Sequence, residues 1–512
     1  MSKIKQGIEI KQQLPKYVLD TAAALRDGGY EAYLVGGSVR DILLGKEPKD
    51  YDIATNAYPE QVQELFPKSV PTGAKFGTIL VLMPDEEGEN FEIEVTTYRS
   101  EADYFGGRWP AKVEFTKTID EDLARRDFTI NAIALRIDND ILEEVDIVDP
   151  FGGVADLQAK TIRAVGDPEE RFSEDGLRSI RGCRLAANLD FDIEEKTFAA
   201  ISKTLDVTRH VSTERVRDEL IKLLMKSSKP SKGLELMRKS GLLEIFIPEL
   251  LEGIDINQPQ FHEDDVYTHT LKAVDEADDE VKIAALFHDI AKPRTRSEDE
   301  AGVHFYGHDK MGEEMTREIM TRLRFPKREV ERTATLVRWH MFYYPNADWR
   351  KAQNEGKEKD PAHLGDEQLE VARQEAERAQ LGKSRHKKTL AGGWSDAAVR
   401  RFIRNVGSQE LIDDLMKLRI ADAAANPKSP FNPLEIKVLG ERIAKVRQED
   451  MALKVTDLDI SGHDLIEMGI TGKAIGSTLE HLLDKVTEDP ELNSREELKE
   501  LAMQYNNNQP QA

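Results

Sequence analysis

The sequence predicts an α+β protein, in which a head with a mixed β-sheet and helices precedes a helical body. Short β-rich runs and helical periodicity alternate over roughly the first 150 residues. Beyond the stretch "DPFGGVADLQ", strand signals nearly vanish and helical periodicity takes over. The chain has 512 residues, several times the usual domain size, so we expect several domains with ample buried core.

Four strands and one opening helix are expected in the head. The helix is predicted over "KYVLDTAAALRDGG", where the closing glycines are typical of a helix end. The strands are predicted over residues 31–37, 77–83, 91–98 and 140–150, which are rich in β-branched or aromatic residues.

Helices are expected after a boundary near residue 150–160, which proline and glycine mark. Clear periodicity is found in "EDGLRSIRGCRLAANL", "TERVRDELIKLLM" and "PSKGLELMRKSGLLEIF". We divide the chain into a head (1–155), a helical neck (156–255), a histidine-rich helical domain (256–428) and a helical tail (429–512). The third part contains a highly charged insert at about 345–393, which predicts a solvated helix or partial disorder.

Composition limits the function classes. With 72 basic and 96 acidic residues the net charge is −24, so any nucleic-acid site must be a local basic track. Cys183 is the only cysteine, which excludes an intramolecular disulfide or a thiolate zinc cluster and favours a reducing cytoplasm. No stretch reaches the length of a bilayer span, so we expect no membrane partner.

The stretch "KEPKDYDIATNA" raises the question of a metal site. Asp50 and Asp52 are two residues apart, so on a strand their carboxylates would face one side and could hold Mg²⁺. Upstream, Gly36 and Gly37 would let backbone N–H groups approach a triphosphate, and Arg40 could add a cation. Each half alone is more often a turn or a solvated loop.

Five ordered motifs together resemble the class II tRNA nucleotidyltransferases, within the polymerase β-like superfamily. They are "GGSVRDILLG…DYDIAT", "LARRDFTINAIAL", "DPFGGVADL", "RFSEDGLRSIRGCRLAANL" and "ERVRDELIKLL". The tail "ALKVTDLDISGHDLIEMGITG" extends the resemblance to most of the chain. This family contains CCA-adding enzymes and bacterial poly(A) polymerases, and the resemblance implies a polymerase β-like head.

The resemblance implies roles for individual residues of the head. Asp50 and Asp52 would be the catalytic metal ligands. Glu94, rather than Glu92, would be the third carboxylate, although an exposed strand face explains both glutamates equally well. The implied nucleotide contacts are Gly36, Gly37, Arg40, Arg126, Asp127 and Asn131.

The helix predicted over "EDGLRSIRGCR" presents an acid and several guanidinium groups at near-helical spacing. By resemblance, Asp175 and Arg178 would hydrogen-bond to the pairing edge of the incoming C or A, so that protein replaces a template. Arg181 and Arg184 would also bind nucleotide. From spacing alone, a surface salt bridge is the commoner fate of such residues.

A full loop is present between the predicted metal strand and the "RRDF" motif, with Gly106, Gly107, Arg108 and Trp109. By resemblance such a loop permits the final switch to ATP, which argues against an enzyme that adds only C.

A second chemistry is indicated by "VYTHTLKAV", "AALFHDIAKPRT", "VHFYGHDKMGEE", "LVRWHMFYY" and "LRIADAAAN". This order of histidines and aspartates is similar to the HD phosphohydrolase superfamily, and imidazole with carboxylate suits a divalent transition metal. By resemblance, one metal would be bound by His269, His288, Asp289 and Asp422, and His308 with His340 could complete a second.

The leading hypothesis is therefore template-independent addition of C, C and A to tRNA 3′ ends from CTP and ATP, with Mg²⁺ in the head and release of pyrophosphate. A-only addition or poly(A) synthesis by the same family remains open. From another class, the chain could be an HD phosphohydrolase whose head only binds nucleotide or RNA.

Overall fold

The computed structural model describes residues 14–84, 90–105, 109–137, 147–258, 263–300, 302–342, 394–426, 433–448 and 454–507. The chain forms two compact units. The first comprises Met1–Glu252 with Ile319–Phe325, and the second comprises Gly253–Glu318 with Pro326–Ala512. The finer division into head, neck, histidine-rich domain and tail stays a prediction, and the charged insert lies outside the described residues.

A seven-stranded mixed sheet dominates the start of the first unit. Its strands are β1 (Tyr33–Val35), β2 (Asp52–Thr55), β3 (Ser69–Gly73), β4 (Thr78–Pro84), β5 (Asn90–Thr97), β8 (Ala134–Arg136) and β9 (Ile147–Val148), with β6 (Arg99–Phe105) and β7 (Trp109–Phe115) in a separate antiparallel pair. The order across the sheet is β3-β4-β5-β2-β1-β8-β9. The β2–β5 pair is parallel and the others are antiparallel.

Helices surround this sheet and continue beyond it. They are α1 (Lys16–Asp27), α2 (Gly37–Leu43), α3 (Pro59–Leu65), α4 (Ile119–Ala124), α5 (Gly153–Gln158), α6 (Pro168–Glu174), α7 (Leu177–Leu189), α8 (Glu195–Lys203), α9 (Leu205–Thr208), α10 (Thr213–Lys226), α11 (Pro230–Lys239), α12 (Leu242–Phe246) and α13 (Pro248–Leu251), with a two-stranded parallel pair β10 (Thr161–Ile162) and β11 (Asp192–Ile193). The predicted α+β class is thus confirmed.

The core of the head forms where one face of the sheet meets α4. Buried residues of β1, β2 and β8 pack there with Ile119 and Leu123 of α4. On β5 the buried Ile93 and Val95 alternate with the exposed Glu92 and Glu94, as the period of a strand requires. The acidic residues therefore lie on the opposite side of β5 from its apolar residues.

Three of the four predicted strands are present, with ends shifted by one or two residues. The fourth is seen only as β9, because residues 138–146 lie outside the described part of the chain. The loop residues Gly106, Gly107 and Arg108 are also outside it, whereas Trp109 begins β7.

The helix predicted over "EDGLRSIRGCRLAANL" is present as α7, but it begins at Leu177, three residues later than expected. Asp175, between α6 and α7, has extended backbone angles. Gly176 lies against the backbone of Thr208, where an added Cβ would come within 2.6 Å of the Thr208 Cα. Because the two backbones are so close, only glycine fits at position 176. Asp175 therefore lies just before α7 and not on it.

In its described residues the second unit is helical apart from one hairpin, β12 (Ser297–Asp299) and β13 (Gly302–His304). Its helices are α14 (Val266–Glu276), α15 (Lys282–Phe287), α16 (Lys292–Thr295), α17 (His308–Arg322), α18 (Lys327–Trp339), α19 (Asp396–Val406), α20 (Gln409–Ala424), α21 (Pro433–Gln448), α22 (Gly462–Glu467), α23 (Lys473–Glu488) and α24 (Arg495–Asn507). The helices α14, α15, α18 and α20 pack against one another. Within the described ranges, no helix is both long and apolar enough to cross a lipid bilayer.

Candidate active sites

Three carboxylates, Asp50, Asp52 and Glu94, lie near one another at the start of the central strand β2 and are called the acidic edge below. Asp52 opens β2 and is the register partner of Glu94 on the adjacent β5. Asp50 precedes Asp52 by two residues and is exposed. Glu92 is instead the register partner of Leu82 on β4, one strand farther from Asp52. The pairing therefore distinguishes the two glutamates, which the sequence alone could not do.

The turn between β1 and α2 lies directly against these carboxylates. Gly36 has a φ of +77°, which a side chain would strain. A Cβ added there would lie 3.1 Å from Nη1 of Arg126 and 3.5 Å from Oδ2 of Asp52. Gly36 thus leaves room where a side chain would press on both the acidic edge and a guanidinium.

A chain of hydrogen bonds leads from this turn into the sheet. Arg40 of α2 donates from Nη1 to Oδ1 of Asn131 at 3.0 Å and also pairs with Asp41. Asn131 donates from Nδ2 to Oδ1 of Asp127 at 3.3 Å. The structure thus connects three residues that the resemblance assigned to the nucleotide.

The chain continues onto the neck helix α7. Arg181 donates from Nε to Oδ2 of Asp127 at 2.8 Å, and its Nη1 lies 3.9 Å from Oε1 of Glu219. Arg184 Nε lies 2.5 Å from Oε2 of the same glutamate. Arg181 and Arg178 lower the pKa of Asp127 to about 2 despite its burial, so this carboxylate is ionised at neutral pH. Glu219 on α10, only 2% exposed, was missed by the sequence analysis although it lies in the quoted "ERVRDELIKLL".

The two residues expected to read the base have separate partners. Arg215 of α10 donates to both oxygens of Asp175, at 3.2 and 2.6 Å. Arg178 pairs with Glu174 at 2.5 Å and donates to the carbonyl oxygens of Arg171 and Arg125. Asp175 and Arg178 are therefore each fixed by a neighbour, and Arg215 is a further residue that the sequence analysis did not assign.

The electrostatics of the acidic edge fit a divalent cation. Burial and the charge of Glu94 raise the pKa of Asp52 to about 6, against the opposing effect of Arg126. A cation at this site would favour the ionised form of Asp52, because it would offset the charge of Glu94. Carboxylate oxygens on one rigid edge are the ligands that Mg²⁺ prefers, so Asp50, Asp52 and Glu94 fit this ion.

A second cluster lies within the second unit, at the meeting of α14, α15 and α20. His269 Nε2 is 3.0 Å from Oδ1 of Asp422 and 3.3 Å from Nε2 of His288. Oδ2 of Asp289 lies 3.2 Å from His288 Nε2 and 3.7 Å from His269 Nε2. All four residues predicted for the first metal are thus brought together and are buried.

A second triplet shares Asp289 with the first. The other carboxylate oxygen, Oδ1, lies 3.7 Å from Nε2 of His308 and 3.6 Å from Nε2 of His340. These two ring nitrogens are 3.3 Å apart. Asp289 therefore lies between two groups of imidazoles, with one oxygen toward each.

The outer hydrogen bonds of three histidines orient them as metal ligands. Nδ1 contacts a backbone carbonyl oxygen at 2.8 Å in His288, 2.7 Å in His308 and 2.6 Å in His340. A carbonyl only accepts, so each Nδ1 carries a proton, and the Nε2 of each ring faces inward, where its lone pair would be free to bind a metal. Lone pairs 3.3 Å apart repel unless a cation lies between them, so both triplets fit a divalent metal.

Charges around the cluster differ between the triplets. Burial lowers the pKa of His308 to about 4, which keeps this imidazole neutral. Burial also opposes protonation of His288, yet Asp289 and Asp422 raise its pKa above the ordinary value. Lys292 Nζ, 2.7 Å from Oδ2 of Asp289, is a partner that the sequence analysis missed, although "HDIAK" places it one helical turn from Asp289.

Three segments match known domain families. Residues 32–163 match the poly A polymerase head domain, residues 190–253 match the probable RNA and SrmB-binding site of polymerase A, and residues 262–381 match the HD domain. The matches cover the acidic edge, part of the neck and most of the histidine cluster.

Part of the chain is also similar in sequence to CCA-adding enzymes. A CCA-adding enzyme of Enterococcus faecalis is 47% identical over 215 residues, which cover 41% of this chain and 50% of that protein. The chain thus spans about half the length of this relative.

Solved structures agree in fold. The Bacillus stearothermophilus CCA-adding enzyme in complex with CTP superimposes with a TM-score of 0.60 at 24% identity, covering 96% of this chain and 97% of that one. The Thermotoga maritima CCA-adding enzyme complexed with tRNA gives a TM-score of 0.50 at 19% identity, covering 97% and 98%. The chain therefore contains segments that match a poly A polymerase head domain and an HD domain, and it shares the fold of solved CCA-adding enzymes.

Proposed function

We propose that the chain is a template-independent CCA-adding enzyme, which adds C, C and A from CTP and ATP to the 3′ end of tRNA and releases pyrophosphate. The convergence of Asp50, Asp52 and Glu94 opposite the Gly36 turn carries this proposal. The names of similar proteins support these substrates. One relative is a CCA-adding enzyme, and two solved structures are CCA-adding enzymes in complex with CTP and with tRNA.

The head and the HD domain both imply dependence on divalent metal ions. In the head, Asp50, Asp52 and Glu94 would hold Mg²⁺. Bound Mg²⁺ would lower the pKa of the attacking 3′-hydroxyl and stabilise the pyrophosphate leaving group. The bond formed is between this hydroxyl oxygen and the α-phosphorus, and the bond broken joins the α- and β-phosphates.

The nucleotide would be held by the residues around the turn. Backbone N–H groups at Gly36 and Gly37 and the guanidinium of Arg40 would bind the phosphates. Arg126, Asp127 and Asn131 would contact ribose and phosphate. The network through Asp127 would bring Arg181 and Arg184 of the neck to the same nucleotide.

Selection of the base would depend on Asp175 and Arg178. A carboxylate accepts from the exocyclic amine that C and A share, and a guanidinium donates to the ring acceptor beside it. U and G present the opposite complement, so they would leave buried polar groups unpaired. The helical tail (429–512) would bind tRNA.

Primer extension tests this proposal. Three tRNA transcripts, ending before CCA, after C and after CC, are supplied with Mg²⁺ and with CTP, ATP or both. Addition of three nucleotides to the shortest transcript, lost in Asp50→Ala and retained in the exposed-surface control Asp20→Asn, is expected. Extension of the CC-ended transcript alone would identify an A-adding enzyme, and long tails from ATP alone would identify a poly(A) polymerase.

We propose a second activity, metal-dependent hydrolysis of phosphoesters, for the histidine cluster. The two triplets that share Asp289 support it. His269, His288, Asp289 and Asp422 would hold one divalent transition metal, and His308 and His340 would complete a second. Bound metal would supply a hydroxide from water at neutral pH. Attack forms a bond between the water oxygen and phosphorus. It breaks the bond between phosphorus and the ester oxygen, which takes up a proton and leaves as a hydroxyl group.

Metal analysis of the purified chain tests this second proposal. We expect two transition-metal ions per chain and metal-dependent release of phosphate from adenosine 2′,3′-cyclic phosphate followed by alkaline phosphatase. His308→Ala should lose one ion, while His304→Ala, on the exposed hairpin, should lose none. A chain that binds no transition metal and shows no hydrolysis would refute this activity without affecting the polymerase proposal.

A further inference from the structure

A buried lysine contacts the carboxylate that the two histidine triplets share. Lys292 is 7% exposed, and its Nζ lies 2.7 Å from Oδ2 of Asp289. An ammonium group is costly to bury unless it is paired, so this side chain needs partners inside the fold. Neither proposed activity gives it a role.

Two further residues hold the ammonium group in place. Nζ of Lys292 donates to Oε1 of Gln258 at 2.7 Å, and it lies 5.6 Å from the ring centroid of Phe305. Gln258 is 1% exposed, and its Nε2 has no hydrogen-bond partner in the described part of the chain. The carbonyl side of this buried amide therefore faces the ammonium, which is the orientation that a cation requires.

Both partners of the ammonium are attached to parts of the fold that carry metal-ligand candidates. Gln258 follows Asn257, which pairs with Asp265 at the start of α14, the helix that carries a histidine of the first triplet. The backbone carbonyl oxygen of Phe305 accepts from Nδ1 of His308, in the second triplet, at 2.7 Å. The ammonium is thus held by residues that are themselves fixed beside each triplet.

A fixed position for one oxygen of Asp289 also fixes the other, because a carboxylate is planar. Oδ2 lies 3.2 Å from Nε2 of His288, whereas Oδ1 lies 3.7 Å from Nε2 of His308 and 3.6 Å from Nε2 of His340. The terminal torsion of an aspartate is soft, and a carboxylate can also bind one ion with both oxygens. Such a rotation would remove Oδ1 from the second triplet.

The second triplet depends on Asp289 more than the first group does. Without Asp289, the first group would keep two imidazoles and the carboxylate of Asp422, whereas the second would keep two imidazoles alone. Rotation of the shared carboxylate should therefore weaken metal binding at the second triplet much more than at the first.

We propose that Lys292, held by Gln258, is a positioning residue that keeps one oxygen of Asp289 toward each triplet, so that the histidine cluster binds two metal ions and not one. This inference rests on the metal centre of the hydrolytic activity proposed above, and it names the residues that set the number of ions. Each oxygen of a carboxylate has two lone pairs, so Oδ2 can contact the ammonium and still face the first triplet.

An effect of charge alone would have the opposite sign. An ammonium group repels divalent cations, so removal of Lys292 would tighten the binding of both ions if only its charge mattered. If its position matters, removal weakens the binding of the second ion. The direction of the change therefore distinguishes the two explanations.

Titration with Co²⁺ tests the inference. The full-length chain is stripped of transition metal and kept in excess Mg²⁺, because imidazole ligands suit Co²⁺ whereas the carboxylates of the head suit Mg²⁺. Calorimetry, with metal analysis after gel filtration, gives the number of Co²⁺ ions and their dissociation constants. The double variant Gln258→Leu/Lys292→Met replaces both members of the hydrogen bond by apolar side chains, which avoids an unpaired buried group.

The double variant should bind the first Co²⁺ as wild type does. Its Kd for the second should rise about 10- to 100-fold, the usual effect of losing an outer-shell partner of a metal ligand. Two Co²⁺ ions bound with wild-type affinity, or more tightly, would overturn the inference.

Single substitutions keep the test decisive if the double variant does not fold. Gln258→Glu keeps an acceptor for the ammonium and should retain both ions, whereas Gln258→Leu should lose affinity for the second. The matched control is Lys417→Met, which breaks an ion pair with Glu280 outside the cluster and should retain both ions. Equal affinities in Gln258→Leu and Gln258→Glu would overturn the inference.

A hydrolysis assay separates this inference from the activity on which it rests. Suppose that wild type binds two Co²⁺ ions, that the double variant loses the second, and that neither hydrolyses adenosine 2′,3′-cyclic phosphate. This result would refute the phosphohydrolase and keep the inference. Equal hydrolysis by wild type and the double variant, each with two ions of equal affinity, would keep the phosphohydrolase and refute the inference.

Discussion

The two glutamates of β5 face the same side of the sheet but have different neighbours. Glu94 is in register with Asp52, whereas Glu92 is in register with Leu82. Glu94→Gln should therefore reduce CTP addition at least about 100-fold, since even outer-shell partners of a metal cost 10–100-fold when lost. Glu92→Gln, the matched control, should stay within about 2-fold. Single-turnover extension of a tRNA transcript measures both, and equal losses would refute the third-ligand role of Glu94.

The raised pKa of Asp52 predicts a pH-dependent stability of the metal-free chain. Its pKa of about 6 lies above the ordinary value of 3.8, so the folded state binds the proton more tightly. This stabilisation is present below about pH 4 and is lost as pH rises through 6. Asp52→Asn should then stabilise the chain by about 1–3 kcal/mol at pH 7.5, and the gain should shrink as pH falls toward 4.

Thermal unfolding in EDTA at pH 7.5 and pH 4.0 measures this effect, with Asp20→Asn, an exposed substitution on α1, as the control. A gain for Asp52→Asn that is the same at both pH values would contradict the electrostatic explanation.

At the scale of elements, a residue of α10 fixes the position of Asp175, which is proposed to read the base. Arg215 contacts both oxygens of Asp175 across the turn between α6 and α7. Arg215→Met should leave Asp175 free to rotate and should lower discrimination of CTP against UTP about 10-fold. Arg217→Met on the same helix is the control, because Arg217 pairs with Asp218 instead. A fall in overall rate with unchanged discrimination would mean that Arg215 serves stability only.

Local sequence predicted the elements better than their partners. The strand under Glu94 could be read directly, because strand period is a local property. Asp50 lies before β2, so the expectation that it shares a strand face with Asp52 was wrong. The pairing of β2 with β5 joins residues about 40 positions apart in sequence, so only the fold shows that Glu94 lies beside Asp52. The same holds for Arg215 and Glu219 of α10, because Asp175 lies just before α7 and Arg184 lies on it.

The histidine cluster was predicted more fully than the neck. Six metal-ligand candidates were named from short sequence signatures, and the fold brings all six together around Asp289. The start of α7 was predicted three residues too early, because the close approach of Gly176 to Thr208 depends on tertiary packing.

At the scale of the whole molecule, metal removal should affect the second unit strongly. Asp289 is buried beside four imidazoles and Lys292, and its Oδ1 has no hydrogen-bond donor within the described residues. Chelation should lower the thermal stability of this unit, because inward-facing lone pairs then lose their cation. Differential scanning calorimetry before and after dialysis against a chelator measures the change. A transition that does not move on chelation, while metal analysis confirms removal, would contradict the bridging arrangement.

On both proposals, one chain contains two metal centres with different chemistries. The most direct test measures CTP and ATP addition to tRNA and hydrolysis of adenosine 2′,3′-cyclic phosphate in wild type, Asp50→Ala and His288→Ala. We predict that Asp50→Ala abolishes addition and leaves hydrolysis intact, and that His288→Ala does the reverse. Loss of both activities in either variant, or addition that survives Asp50→Ala, would contradict the account.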